Sequence, residues 1–358
     1  MQGEAPTGLL EVSQAPVTAL GSLLQGAVPF AVRLHREFRG VTVREGMLIQ
    51  GPSGWGEFSP FEDYDDQAAG RWLGGAIEAA YGTWPDAKRS EIRVNAILPA
   101  VLPQVARELA EQAAVRDGCT TIKVKITGDD AADEARVAAV REALDSVLGY
   151  GVGLIRIDAN ACWTSEQAIS SLKRLAAYGL EYVEQPVASR EDLRSVRAAV
   201  DVPIAVDESI RTDRGGDPRA LSELAEIADI AIIKPYPVGG VQRAIDVAEL
   251  VKLPVVVSSS MDSSVGICAS LALAAALDVD RACGLGTGAL LATDVVSRPL
   301  VPTAGVMRVQ RLAPDADALA EARQLLAPER VQHWHERISR AWEAGSSEAW
   351  RKVITSSG

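Results

Sequence analysis

Histidine is scarce in this sequence. Three occur in 358 residues, His35, His333 and His335, and none falls in the apolar runs between residues 93 and 288. A histidine base or a histidine-rich metal site is therefore not expected there. The four cysteines, Cys119, Cys162, Cys268 and Cys283, stand singly without C-x-x-C spacing, which argues against a zinc site, a disulfide framework and a Cys–His nucleophile pair. Lysine is sparse too, at seven residues against 29 arginines. A generic surface cation in this chain is an arginine, so a lysine set inside a strand looks chosen for something arginine cannot do, which is to lose its proton when partly desolvated. No apolar run approaches the roughly 20 residues of a membrane span, and residues 1–14 lack the positive start of a secretion signal. A cytoplasmic protein is expected. The net charge of −12 comes without a basic block, so the expected partner is a small molecule, with no nucleic acid and no membrane. Nothing in the sequence names an oligomeric partner.

What is present is a repeat. Short apolar runs recur from about residue 93: "RVNAILPA" (93–100), "TIKVKI" (121–126), "LIRIDAN" (154–160), "YVEQP" (182–186), "IAVDES" (204–209), "IAIIKP" (230–235), "VVVSSS" (255–260) and "ACGLGTG" (282–288). Helix-like stretches such as "LPQVARELAEQAAVRDG" lie between them. Strands alternating with helices at this spacing predict parallel strands joined by right-handed crossovers, and eight units suggest a closed barrel. An open sheet would more usually carry a Gly-rich phosphate loop after its first strand, and "GLGTG" is at the wrong end of the repeat for that. Residues 1–91 read instead as a β-meander followed by a helix, an α+β unit. The barrel is expected over 92–290, with 291–358 as a tail returning to the N-terminal unit.

The third, fourth and fifth runs each end in an acid, Asp158, Glu184 and Asp207, about one strand–helix unit apart. In a barrel, polar residues at the C-terminal ends of the strands face one locus. Three bare carboxylates there would repel one another strongly. An oxygen-only set without Cys or His favours a hard divalent ion, Mg²⁺ first and Mn²⁺ as the alternative. Helix capping is the competing use of Asp158, but Thr164 or Ser165 is better placed for that. Asp207 and Glu208 point to opposite sides of a strand, and Asp207 is preferred because it is in phase with the small Ala205. Lys123 and Lys125 share one face of the second strand, and Lys234 ends the sixth, across the ring. Such a set suits removal of a proton α to a carboxylate: the cation stabilises the charge that develops, and a lysine whose pKa is lowered by cationic neighbours is the base. A lysine base working with Mg²⁺ on an ene-diolate is the known chemistry of enolase-superfamily sites.

K-x-K, D-x-N, E-Q-P, D-E-S and K-P on successive strands, with "GWGEFSPF" ahead of them, make the chain similar to the enolase superfamily in its muconate-lactonizing branch. Within that branch it most resembles the o-succinylbenzoate synthase family of the actinobacterial type, on "FRGVTVREGMLI", "GEFSPFEDYDD", "DANACWT", "IIKPYPVGGV" and "SSSMDSSVG". The resemblance implies an α/β fold: a (β/α)7β-type TIM barrel with an α+β capping domain formed by the N-terminal segment and the C-terminal tail. It implies Mg²⁺-dependent dehydration of 2-succinyl-6-hydroxy-2,4-cyclohexadiene-1-carboxylate in menaquinone biosynthesis. Asp158, Glu184 and Asp207 would be the metal ligands and Lys125 the base, which as acid then helps hydroxide leave. Lys234 would stabilise the enediolate from the other face, and Lys123 would tune Lys125 and touch the carboxylate. Arg39, Phe58, Asn160, Ser259, Ser260, Met261 and Gly286 are the candidate substrate contacts, with Phe58 equally readable as core and the small residues equally readable as a turn.

Two lysines facing each other suit N-acylamino acid racemisation, dipeptide epimerisation or muconate cycloisomerisation equally well. A non-catalytic metal-dependent binding barrel is the reading from another class. It gives no reason for a base opposite a second cation.

Overall fold

The computed structural model describes residues 19–212, 217–277, 279–345 and 347–356. Residues 1–14, expected to carry no secretion signal, lie outside them. Strands β1 (Ala27–Phe38), β2 (Val41–Gly51) and β3 (Gly54–Phe58) form an antiparallel sheet in that order. Arg39 and Gly40 make the turn between β1 and β2 with φ of 53° and 72°, the positive values a two-residue type I′ hairpin demands. The helix Asp66–Tyr81 covers this sheet, and its backbone comes so near that a Cβ at Gly56 would stand 2.0 Å from Ala76 O. Only glycine permits that approach.

The short strand β4 (Glu91–Arg93) leads into the barrel strands β5 (Ala96–Leu98), β6 (Thr121–Lys125), β7 (Leu154–Asp158), β8 (Leu180–Glu184), β9 (Ile204–Val206), β10 (Ile230–Ile233) and β11 (Val255–Val257). These seven are parallel and paired in unbroken order from β5 to β11. The eighth run, "ACGLGTG", is not a full strand. Cys283 bridges to Val94 and Gly284 to Ser258, which joins the two edges of the sheet through a stave two residues long. It is short because the chain passes at once into a 3₁₀ turn, Gly286–Leu290, and it fits because its glycines lack side chains. A Cβ at Gly284 would lie 2.6 Å from Ser258 Oγ, and one at Gly286 2.4 Å from Asn95 O. Inside the ring, Tyr182, Ala205, Ile230, Ile232 and Val256 form an apolar plug, separate from the main core between strands and helices.

The tail first forms β12 (Val306–Arg308), antiparallel to β4 beside the barrel. The helix Pro328–Ala344 then packs on Asp66–Tyr81: Trp334 meets Phe58 edge-on with centroids 6.1 Å apart, and Arg337 Nη2 donates to Phe61 O at 2.6 Å. No helix among the described residues is long and apolar enough to cross a membrane.

Candidate active site

The barrel strands stand in register, so neighbouring side chains form inward-facing layers. Lys123, Arg156 and Tyr182 make one layer; Lys125, Asp158 and Glu184 make the next, toward the C-terminal ends. This is why β6 tolerates two lysines. They point into the ring, and the strand is hydrogen-bonded on both sides rather than at an edge. Lys123 Nζ sits between the carboxylates of Glu184, at 3.0 and 3.2 Å, and Asp158, at 3.2 Å. Burial works against that ammonium, but Glu184 and Asp158 outweigh it and hold its pKa well above the ordinary lysine value. Asp207 lies in phase with Ala205, which pairs with Glu184, and its Oδ2 accepts from Lys234 Nζ at 2.7 Å. β6 and β10 have three strands between them on one side and β5, the short stave and β11 on the other, so Lys125 and Lys234 belong to opposite walls.

Lys125 is half-buried. Its ammonium donates to Asn160 Oδ1 and, at 3.3 Å, to Asp158 O. Its pKa is lowered, as a base requires, but the cause differs from the one expected from sequence. Burial is the largest influence, whereas Lys123, already engaged by two carboxylates, ranks behind both burial and the opposing pull of Asp158. Asn160 reaches the lysine from a left-handed backbone, φ 42°, and Gln185 (φ 41°) and Met261 (φ 58°) end their strands in the same way. Such conformations cost about 1–3 kcal/mol each. Gln185 is repaid by hydrogen bonds that knit two loops together: its Oε1 accepts from Asp207 N and Ser209 N at 3.1 and 3.2 Å, while Nε2 donates to Val187 O at 2.9 Å.

The acids are not alike. Burial raises the pKa of Glu184 to about 7, and Asp158 adds to the rise. Asp207, although buried, is held well below the usual carboxylate range by Lys234 and Arg211. Asp158 is likewise lowered against burial, chiefly by Lys123. Among the described residues no group of three His, Cys, Asp or Glu forms a ready metal cage, since Lys123 stands between two of these carboxylates. The donor set nevertheless suits a hard divalent ion. It is all oxygen, and Asp207 Oδ1 is buried without a hydrogen-bond partner among the described residues.

The remaining candidates divide. Ser259 and Ser260, at the end of β11, and Met261 are buried, with Ser259 Oγ 2.8 Å from Thr287 Oγ1. Gly286 is buried beside Asn95. Arg39 stays exposed on the cap hairpin, its guanidinium 4.7 Å from the Phe61 ring centroid. Phe58 is not brought to the site. It is fully buried against Trp334, so its place is the cap core. Thr164, not Asp158, caps its helix, in a capping box with Gln167. Sequence reasoning missed Arg211, four residues after Asp207 in a one-turn helix, a spacing that could have revealed the pair. It also missed Arg156, wholly buried in the barrel with bonds to Glu181 at 2.6 Å and to Asn95 and Ala282 O at 2.7 Å, although strand alternation puts it on the same face as Asp158.

Residues 105–315 match the family described as Enolase C-terminal domain-like, and residues 29–80 match Enolase N-terminal domain-like. The chain belongs to the enolase superfamily. Among curated relatives, the o-succinylbenzoate synthase of Thermobifida fusca is 46% identical over 296 residues, covering 82% of this chain and 90% of the relative. That of Mycolicibacterium smegmatis is 45% identical over 328 residues, covering 90% and 97%. Among solved structures, muconate lactonizing enzyme from Pseudomonas fluorescens superposes with a TM-score of 0.71 at 18% identity, covering 83% of this chain and 97% of that one. The L-Ala-D/L-Glu epimerase from Bacillus subtilis gives 0.67 at 23%, covering 80% and 96%. At these identities the superpositions speak for the fold alone. Enolase-superfamily enzymes are metal-dependent, which agrees with the carboxylate set in this chain.

Proposed function

We propose that this chain is an o-succinylbenzoate synthase, a hydro-lyase that removes water from 2-succinyl-6-hydroxy-2,4-cyclohexadiene-1-carboxylate in menaquinone biosynthesis, with Mg²⁺ as its metal. The observation that carries this reading is the 46% identity to a curated relative of that name, 90% of whose length is covered. Asp158, Glu184 and Asp207 would hold the metal, which when bound supplies positive charge against the substrate carboxylate. Lys125 takes the α-proton. Its lowered pKa makes the free amine more available than in an ordinary lysine, and Asn160 Oδ1 fixes its direction. The same ammonium then delivers the proton to the departing hydroxyl, so that one proton and one hydroxide leave as water. Lys234, on the opposite wall and anchored to Asp207, places a second positive charge against the electron density that gathers on the carboxylate. Lys123 holds Asp158 and Glu184 at a fixed spacing. Ser259 and Ser260 offer hydroxyls at the end of β11 for the succinyl arm.

The test is direct. Pure protein with Mg²⁺ should bleach the diene absorbance of the cyclohexadiene substrate. No bleaching, with racemisation of N-succinyl amino acids in its place, overturns the activity and leaves the fold standing.

A further inference from the structure

A chain of side-chain contacts runs from the amine on one wall to the amine on the other. Lys125 donates to Asn160 Oδ1, and Asn160 Nδ2 donates to Glu208 Oε1 at 3.1 Å. Arg211 Nη2 donates to that same oxygen at 2.6 Å, and Arg211 Nε to Asp207 Oδ2 at 3.1 Å, where Lys234 also binds. Arg211 is the one member that joins the two halves, and it uses a different nitrogen for each contact. Its third nitrogen, Nη1, donates to the hydroxyl of Tyr64, which belongs to the cap. A second cap residue grips the same segment: Arg71 donates to Arg211 O at 3.1 Å and to Pro237 O, just after Lys234, at 3.0 Å. Both strand-end loops that carry Asp207 and Lys234 are therefore tied to the cap.

Arg211 is buried and Asp207 Oδ2 is fully engaged by two cations, which leaves Oδ1 as the oxygen without a partner among the described residues. A guanidinium fixed at three points sets the rotation of a carboxylate in a way that a single ammonium cannot. We propose that Arg211 is a positioning residue, and that with Tyr64 it couples the seating of the cap to the orientation of Asp207 and, through Glu208 and Asn160, of Lys125. The proposal rests on the roles given above to Asp207 and Lys125. When the cap is seated, Tyr64 holds the guanidinium, Asp207 presents one oxygen, and Asn160 keeps the amine aimed. When Tyr64 lets go, the whole row loses its anchor.

The test is a double-mutant cycle of Tyr64→Phe and Arg211→Met, read in kcat and KM for the cyclohexadiene substrate and, separately, in Mn²⁺ affinity by electron paramagnetic resonance without substrate. Tyr64→Phe removes only a hydroxyl, since the ring keeps its packing on Trp72 at 5.3 Å and on Phe61 at 6.2 Å. We expect it to lower kcat/KM by about tenfold and to weaken Mn²⁺ binding, and to do neither once Arg211 is already methionine, because contacts that act through one another are not additive. An equal effect of Tyr64→Phe in both backgrounds, or no effect in the wild-type background, overturns the proposal. Should Arg211→Met fail to fold, Arg211→Lys closes the cycle, since an ammonium cannot make three divergent contacts. A wild-type protein that binds Mn²⁺ yet leaves the diene untouched sinks the functional reading alone, and the Mn²⁺ cycle still decides the coupling.

Discussion

Glu57 gives a prediction with a sign opposite to that of most acids. It lies on β3, wholly buried where the cap meets the loop after β11. Ser263 donates to Oε2 from its backbone N at 3.0 Å and from its hydroxyl at 2.5 Å, and Ser59 Oγ donates to Oε1 at 2.7 Å. Burial raises its pKa from 4.5 to about 7, with the neighbouring Asp262 adding to the rise against those hydrogen bonds and against Arg44. Asp262 is raised as well, mainly by burial, and its Oδ1 has no partner among the described residues. Between pH 4.5 and about 7 Glu57 therefore binds more protons in the folded chain than in the unfolded one, and its own contribution to stability falls as pH rises through that window. At 1.36 kcal/mol per unit, the loss is of the order of 3 kcal/mol. Replacing Glu57 with glutamine keeps the shape of the protonated acid and removes the charge. Urea denaturation should find Glu57→Gln more stable than wild type above pH 8 by about 1–3 kcal/mol, with the gap closing toward pH 4.5. A gap that does not change with pH, or a wild type that gains stability as pH rises through this window relative to the variant, would refute the reasoning.

Lys125→Ala should abolish turnover while leaving Mn²⁺ binding near wild type, because the three carboxylates keep Lys123 and Lys234; a wild-type rate would remove Lys125 as the base. Phe58→Leu should lower stability by about 1–2 kcal/mol, as a partial core cavity does, with KM unchanged; a raised KM at full stability would return Phe58 to the substrate contacts. Of the four thiols, only Cys162 is exposed. Burial pushes Cys119 and Cys268 up to about 12 and Cys283 up to about 11. A disulfide reagent at pH 8 should therefore titrate one thiol in the native protein, and rapid reaction of two would show that the barrel opens locally.

The features legible in the sequence are those that local geometry controls. Strand alternation alone puts Lys123 and Lys125 on one face, and the recurrence of acid-ended runs places Asp158, Glu184 and Asp207 at neighbouring strand ends. The turn chemistry of Thr164 and Gln167 is local too, which is why the cap could be assigned away from Asp158. The eighth stave reads as a strand but is reduced to two bridges. Its length depends on how closely Asn95 and Ser258 approach its glycines, and that is a property of the closed ring.

Only the tertiary structure decided which partner each charge meets. Lys123 reaches Glu184 across 61 residues of chain, and Arg211 reaches Tyr64 across 147. It also decided that burial, more than a neighbouring ammonium, lowers Lys125, and that Phe58 belongs to the cap core. Alternation along a strand is fixed by covalent geometry within a few residues. The strength of a charge pair or the cost of burying an amine depends on distance and dielectric through space, and those come into being only when the ring closes and the cap sits on it.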